Sequence, residues 1–295
     1  MTLDECRPVE VWESEFKLMD LIGMETILVR ETIDQGLQDA YYPTGQPDVW
    51  SSCGYDRVGT LMRLAEDHGM RVYLGLIHRP GTSSPSPAFD REAFLYSNVV
   101  TVRELAGLYG DSPAFAGWYL TPEVAANNWV VDRDHYTVDF HRRLIAAVRE
   151  FDQHPIAAAP WFLPDSTYVA IAPEQLAAFA QDYTTRIGVN ILILQDGIGG
   201  GRDFPEVDSY FNAVAQGLSG SNAQFWADVE AFSIEGDGAF TPADPSRLEM
   251  QTASVAPYVD QIVTWTFQHY MSPNSPRAGA WEAYVRYITH TEASR

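Results

Sequence analysis

Four stretches of this sequence repeat one local order: the end of a helix, a glycine, then a short apolar run. They are "LIGMETILVRE" (21–31), "DHGMRVYLGLIH" (67–78), "YGDSPAFAGWYL" (109–120) and "RIGVNILILQD" (186–196). Glycine suits the left-handed position just past a helix C-terminus. Apolar runs at 155–161, 223–230 and 260–267 add three more expected strands. Helical periodicity fills the intervals. Trp12, Phe16, Met19 and Ile22 share one helix face, as do Val58, Leu61, Met62 and Ala65. Pro173 stands at a first helical position, and segments 90–109, 132–151, 205–217, 245–257 and 279–289 also read as helices.

Strand alternating with helix implies parallel strands joined by crossovers. The expected fold is a single α/β domain over residues 1–295, a (β/α)8 TIM barrel. An open doubly wound sheet is the alternative. Eight strands close such a barrel, and the first must precede the first helix. Only "MTLDEC" stands there, so the first strand is expected to be short or truncated at the N-terminus. The expected helix-to-strand connections are short. The strand-to-helix connections are long, at 32–54, 79–89, 197–204 and 232–245. In a barrel these long loops gather on the C-terminal face, where active sites sit.

Composition narrows the function classes. With 46% hydrophobic residues in 295, the chain can bury a large core. A net charge of -21 argues against nucleic acid, because neutralising phosphates needs Lys and Arg. Lys17 is the single lysine among 19 basic residues. A GC-rich genome alone replaces Lys by Arg, but the acidic surplus points further, to a protein adapted to concentrated salt, where self-repulsion is screened. Cys6 and Cys53 have no zinc-like spacing; two free thiols are expected, with a single disulfide as the alternative. No run of 18 apolar residues exists, so no membrane span is expected. The N-terminus has neither a basic region nor an apolar signal core. That makes the cytoplasm the default location, and secretion the expectation if the N-terminus is truncated.

Two apolar runs end on glutamates. "FAGWYLTPEVA" (115–125) carries Glu123 and "FWADVEAF" (225–232) carries Glu230. If "MTLDEC" holds the first strand, these follow strands four and seven, which face each other across a barrel mouth. Two carboxylates flanking a sugar are what glycoside hydrolysis needs: one protonated to serve the leaving oxygen, one ionised to attack. Strand alternation places Tyr119, Thr121 and Glu123 on one face, and Trp226, Asp228 and Glu230 on another. A strand covered by helices does not carry polar groups on its packing face. Other strand ends are polar too: Arg30 and Glu31, His78, Gln195 and Asp196, Gln268 and His269. Aromatic rings stack on the apolar faces of sugars. Trp161, Trp226 and Trp265 are candidates for that role, whereas Trp118 reads as core. The expected catalytic pair is therefore Glu123 and Glu230, with Glu31, His78, Tyr119, Trp161, Gln195, Asp196, Trp226, Asp228, Trp265 and His269 as carbohydrate-binding candidates. As bland readings, His78 is a hydrogen-bonded structural histidine and Asp196 a turn cap. "GIGGGR" (197–202) matches neither the dinucleotide nor the nucleotide phosphate pattern. His78, Asp196, Glu230 and His269 lack metal-ligand spacing, so no metal and no cofactor are expected.

The elements "LDE", "GMETILVRETI", "GWYLTPEVA", "LQDGIG" and "DVEAF" resemble, in this order, the glycoside-hydrolase-like barrels of domain of unknown function 4434. The resemblance runs over nearly the whole chain. It implies a (β/α)8 barrel related to glycosidases and a full first strand ahead of "LDE". More distantly, the chain is similar to the retaining-glycosidase clan with glutamates after strands four and seven. That similarity implies Glu123 as acid/base, Glu230 as nucleophile and net retention. In the clan an Asn usually precedes the acid/base; here Pro122 does. The leading expectation is a glycosidase acting on an oligo- or polysaccharide. A non-catalytic carbohydrate-binding barrel and a metal-dependent hydrolase or lyase on the same fold are the rivals.

The charge reading has a direct test. Thermal stability should climb from dilute buffer to molar KCl, where the Debye length falls to about 3 Å. A flat melting temperature across that range identifies an ordinary acidic protein instead.

Overall fold

The computed structural model describes residues 1–82, 89–164, 169–275 and 281–285. Seven strands form one sheet in chain order: β1 (Thr26–Leu28), β2 (Arg71–Gly75), β3 (Phe115–Tyr119), β4 (Ile156–Ala158), β5 (Ile191–Gln195), β6 (Gln224–Glu230) and β7 (Gln261–Trp265). Every pairing among them is parallel. The helices are α1 (Val9–Leu21), α2 (Arg57–Asp67), α3 (Arg91–Tyr109), α4 (Ala126–Val131), α5 (Tyr136–Val148), α6 (Pro173–Asp182), α7 (Phe204–Leu218), α8 (Pro245–Val255) and α9 (Phe267–Tyr270). The sheet is a nearly closed barrel with flanking helices. Of the expected helix over 279–289, much lies outside the described residues.

Local signals explain where these helices start and stop. Asp56, Asp90, Asp203 and Asp244 cap α2, α3, α7 and α8 by accepting a backbone N–H of the first turn. Such caps contribute about 1 kcal/mol each. Gly23, Gly69 and Gly188 take the left-handed conformation expected between helix and strand. Gly110 does not: its backbone is right-handed. There the small residue serves close approach, because a Cβ would lie 2.5 Å from the Ala106 carbonyl oxygen.

The two faces of each strand have separate fates. Inward residues Tyr73, Tyr119, Ala157, Ala159, Ile191, Ile193 and Trp226 pack as one cluster in the lumen. Outward residues such as Val72, Trp118, Leu192, Phe225 and Ala227 join the helices in the larger core. Trp118 is core, as expected, with its indole N–H on Asp152 at 3.1 Å.

No strand spans residues 1–4. Met1 supplies a single rung beside β1: its amine donates to the Leu28 carbonyl at 2.6 Å, and its carbonyl accepts from Arg30 N at 3.0 Å. Thr2 N donates to Gln268 Oε1 at 3.1 Å, just beyond β7. Between β1 and β7 lies a cavity of about 1030 Å³, lined by both strand edges. The long mouth loops 32–54 and 232–245 carry short strands that the sequence reading left as loops. Ile33–Asp34 pairs with Asp39–Ala40 and with Ile77–His78, and Phe232–Ile234 pairs with Phe240–Pro242.

The cysteines correct the expectation of two free thiols. Cys6 and Cys53 form a disulfide across 47 residues, with Cα atoms 5.2 Å apart. The partners meet because buried Arg57 holds the N-terminal segment down. Its guanidinium donates to Leu3 O at 2.8 Å and pairs with Asp39 at 2.6 Å, while stacking 4.2 Å above Tyr41. Tyr55 adds a hydroxyl bond to Arg7 O at 2.7 Å. Reduction, or Cys53→Ser, should cost about 2–4 kcal/mol of stability by freeing this loop in the unfolded chain. The measurement is the melting temperature with and without reductant. Indifference to reductant would mean that Arg57 and Tyr55 suffice.

Candidate active site

The first glutamate is delivered by the end of β3. Thr121 ties that end down: its hydroxyl donates to Arg30 O at 2.7 Å and accepts from Leu76 N at 2.7 Å. Pro122 then stops the strand, and Glu123 enters the cleft open to solvent. Gln195, at the end of β5, donates to its Oε1 at 3.4 Å. The second glutamate ends β6. Trp226, Asp228 and Glu230 follow one another up the inward face of that strand, and the Glu230 residue is only 9% exposed. Its Oε2 accepts from Gly200 N at 3.1 Å. Both glutamates line one cleft of about 370 Å³, together with Arg30, His78, Tyr119, Trp161, Gln195, Asp228, Phe232 and Trp265. The larger β1/β7 cavity holds neither glutamate, but it shares Arg30, Tyr119, Asp228 and Trp265 with the cleft.

Burial sets the proton affinities. Removal from water, then repulsion from Asp196, push Glu230 up to about 7, against the backbone N–H groups of Gly200 and Gly199 and the Arg202 charge. Glu123 is also raised, by removal from water, against the Gln195 hydrogen bond and the charges of Arg30 and His78. The two differ in access: the Glu123 side chain is exposed in the cleft, whereas Glu230 is buried and also feels Asp196. Asp228 lies well above the usual carboxylate range, first through burial, then through the charges of Asp196, Glu230 and Glu123.

The remaining candidates divide. His78, Tyr119, Trp161, Gln195, Asp228 and Trp265 do line the cleft. His78 also pairs with Asp34 at 3.2 Å. Glu31 is wholly buried and bound to Arg30, which takes the cleft position instead. Strand parity explains this: Leu28 and Arg30 share the inward side, and Glu31 has the opposite phase. Arg30 was thus readable from the alternation that picked out Glu230. Asp196 is 0% exposed and acts as a brace. Its Oδ1 accepts from Ile198 N at 3.2 Å and Glu230 N at 3.3 Å, and its Oδ2 from Gln251 Nε2 at 2.5 Å. Trp226 is 1% exposed, a lumen plug whose ring meets Tyr73 edge-on at 5.6 Å. His269, on α9, is not among the cleft-lining residues. The structure also brings in Phe232, which the sequence reading missed. Among the described residues, no group of three His, Cys, Asp or Glu side chains could hold a metal ion.

The glycine-rich loop gains a role. Arg202 straps it to the strand ends, donating to Asp196 O at 2.9 Å and Phe162 O at 2.8 Å and stacking 3.9 Å from the Phe162 ring. Gly199 lies against Glu230: a Cβ there would sit 2.8 Å from Glu230 Oε2 and 2.5 Å from Phe232 O. Gly199→Ala should therefore displace the carboxylate. A misplacement near 1 Å can cost about a hundredfold in rate. The expected result is a large loss of turnover together with a lowered melting temperature, because the Phe232 carbonyl must shift as well; unimpaired turnover would show that Glu230 needs no fixed position.

Comparison with known proteins agrees with this architecture. The chain is similar to a solved structure from Bacteroides thetaiotaomicron VPI-5482, provisionally named an alpha-L-fucosidase. Identity is 22%, the match covers 99% of this chain and 92% of that one, and the TM-score is 0.81. The GH99 endo-alpha-mannosidase of Bacteroides thetaiotaomicron matches at 10% identity over 99% of this chain and 82% of its own, with a TM-score of 0.57. The family 1 b-glucosidase of Thermotoga maritima matches at 12% identity over 92% and 79%, with a TM-score of 0.52. At these identities the likeness shows the fold, a barrel of the glycosidase type. No curated protein matches the chain. Residues 7–278 match the family described as "Domain of unknown function (DUF4434)", and the chain belongs to that family.

Proposed function

We propose that this protein hydrolyses a glycosidic bond in an oligo- or polysaccharide, using Glu123 and Glu230. The observation that carries the reading is the pairing of two carboxylates in one aromatic-lined cleft at the mouth of the barrel, one of them with a proton affinity near neutrality. Split proton affinities assign acid and base in such sites. The neighbouring structures named as fucosidase, mannosidase and glucosidase support carbohydrate as the substrate class.

The electrostatics favour an exchange of the roles implied by strand order. Glu230, nearly sealed and repelled by Asp196, keeps a proton near neutral pH and is the acid. Glu123, reached by water and facing Arg30 and His78, is the ionised partner. Glu230 gives its proton to the departing glycosidic oxygen as Glu123 attacks the anomeric carbon. A water then displaces Glu123, and the now ionised Glu230 takes that water's proton. Two displacements give net retention. Trp161, Trp265 and Tyr119 offer faces to the sugar rings.

The roles separate on leaving groups. Removing a general acid costs about 10²–10⁴-fold when the leaving group is poor, and little when it departs as a stable phenolate. Glu230→Gln should stay active on dinitrophenyl glycosides and fail on natural linkages, whereas Glu123→Gln should fail on both. The reverse pattern restores the assignment from strand order, and near wild-type turnover by either variant removes that residue from the mechanism. Activity should also fall as pH rises through about 7, because the working form of Glu230 is protonated. Glu230→Gln should lack this limb.

A further inference from the structure

Asp228 is the middle inward residue of β6, one step below Glu230 and one above Trp226. Its neighbours in register are Gln195 on β5 and Val263 on β7. It borders both the cleft and the β1/β7 cavity. Its Oδ1 is closed to water and has no hydrogen-bond partner among the described residues. The residue as a whole is half-buried, but negative charge on an oxygen that has neither water nor a donor is costly. The charged groups around it raise that cost. Asp196, Glu230 and Glu123 are acidic, and the Tyr119 hydroxyl stands on the same wall. The Met1 amine faces it from the β1 side, but burial pushes that group down to about 6, so it is mostly uncharged at pH 7.

We propose that Asp228 works as a neutral carboxylic acid in the cleft, donating its O–H to an acceptor oxygen of the sugar held between Glu123 and Glu230. The sugar contact rests on the glycosidase reading above; the neutral state rests on the surroundings of Asp228 alone. A sugar hydroxyl both donates and accepts hydrogen bonds. A neutral acid matches it with one donor and an acceptor, whereas an ionised carboxylate only accepts. Burial favours the protonated form, and so do the charges of Asp196, Glu123 and, once it ionises, Glu230.

Glu230 serves as the reporter of charge at position 228. Its titration is followed by carboxyl ¹³C NMR, without substrate, in the wild type and in Asp228→Asn. If Asp228 is neutral, the amide changes no charge, and the Glu230 midpoint should stay within about 0.3 pH unit. If Asp228 is ionised, removing its charge should lower the Glu230 midpoint by about one unit or more, and the proposal is overturned. Turnover of aryl glycosides tests the contact. Asp228→Asn, which keeps an N–H donor, should hold kcat/KM within about threefold, while Asp228→Ala should lose about tenfold to a hundredfold, the worth of one hydrogen bond. An alanine variant equal to the wild type rejects the contact. If the wild type cleaves no glycoside while Asp228 titrates as a neutral acid, the glycosidase reading and the contact fall together, and the protonation state stands.

Discussion

A parallel strand wrapped in helices has no wet face, and that constraint organises this molecule. Outward side chains must be apolar to pack on helices, and inward ones must fill the lumen. Polar groups are tolerated only where the lumen opens. β6 obeys this in three steps: Trp226 plugs, Asp228 borders the opening, and Glu230 stands at the mouth. β5 reaches the same level with Gln195, and β3 with Tyr119 and then Glu123. The cleft is where the barrel runs out of apolar layers.

Much of this order was legible because it is periodic. Glycine-terminated helices and apolar runs located seven parallel strands, and the long strand-to-helix loops lie on the face that carries the cleft. The glutamates were legible because each follows an aromatic run in the phase that points inward. What stayed hidden depends on contacts between distant segments. No spacing rule pairs Cys6 with Cys53, since the contacts that bring the N-terminal segment beside Cys53, such as Arg57 with Leu3, join residues far apart in the sequence. Nothing local distinguishes Asp196 as a brace from Asp196 as a ligand, because its partner Gln251 lies 55 residues further on. Trp226 was misplaced in depth rather than in phase: the alternation names a face and does not say how far below the mouth a residue lies.

The site also depends on braces that never touch the cleft cavity. Arg202 and Arg247 spend their guanidinium groups on backbone carbonyls at the ends of β5 and β6: Arg202 on Asp196 O, and Arg247 on Glu230 O at 3.2 Å. Arginine suits this work because its fork of donors can hold several carbonyls at once. An arginine-rich chain with one lysine thus uses part of its cationic complement inside the mouth of the barrel.

Gln251 extends this dependence to the outer layer. It projects from α8, is wholly buried, and gives its amide to Asp196, the carboxylate that in turn repels Glu230. The proton affinity of Glu230 is therefore adjustable from a helix outside the barrel wall. Substitutions on α8 would move the protonation of the cleft as readily as substitutions within it. A survey confined to cleft residues would overlook the dial that sets their working range.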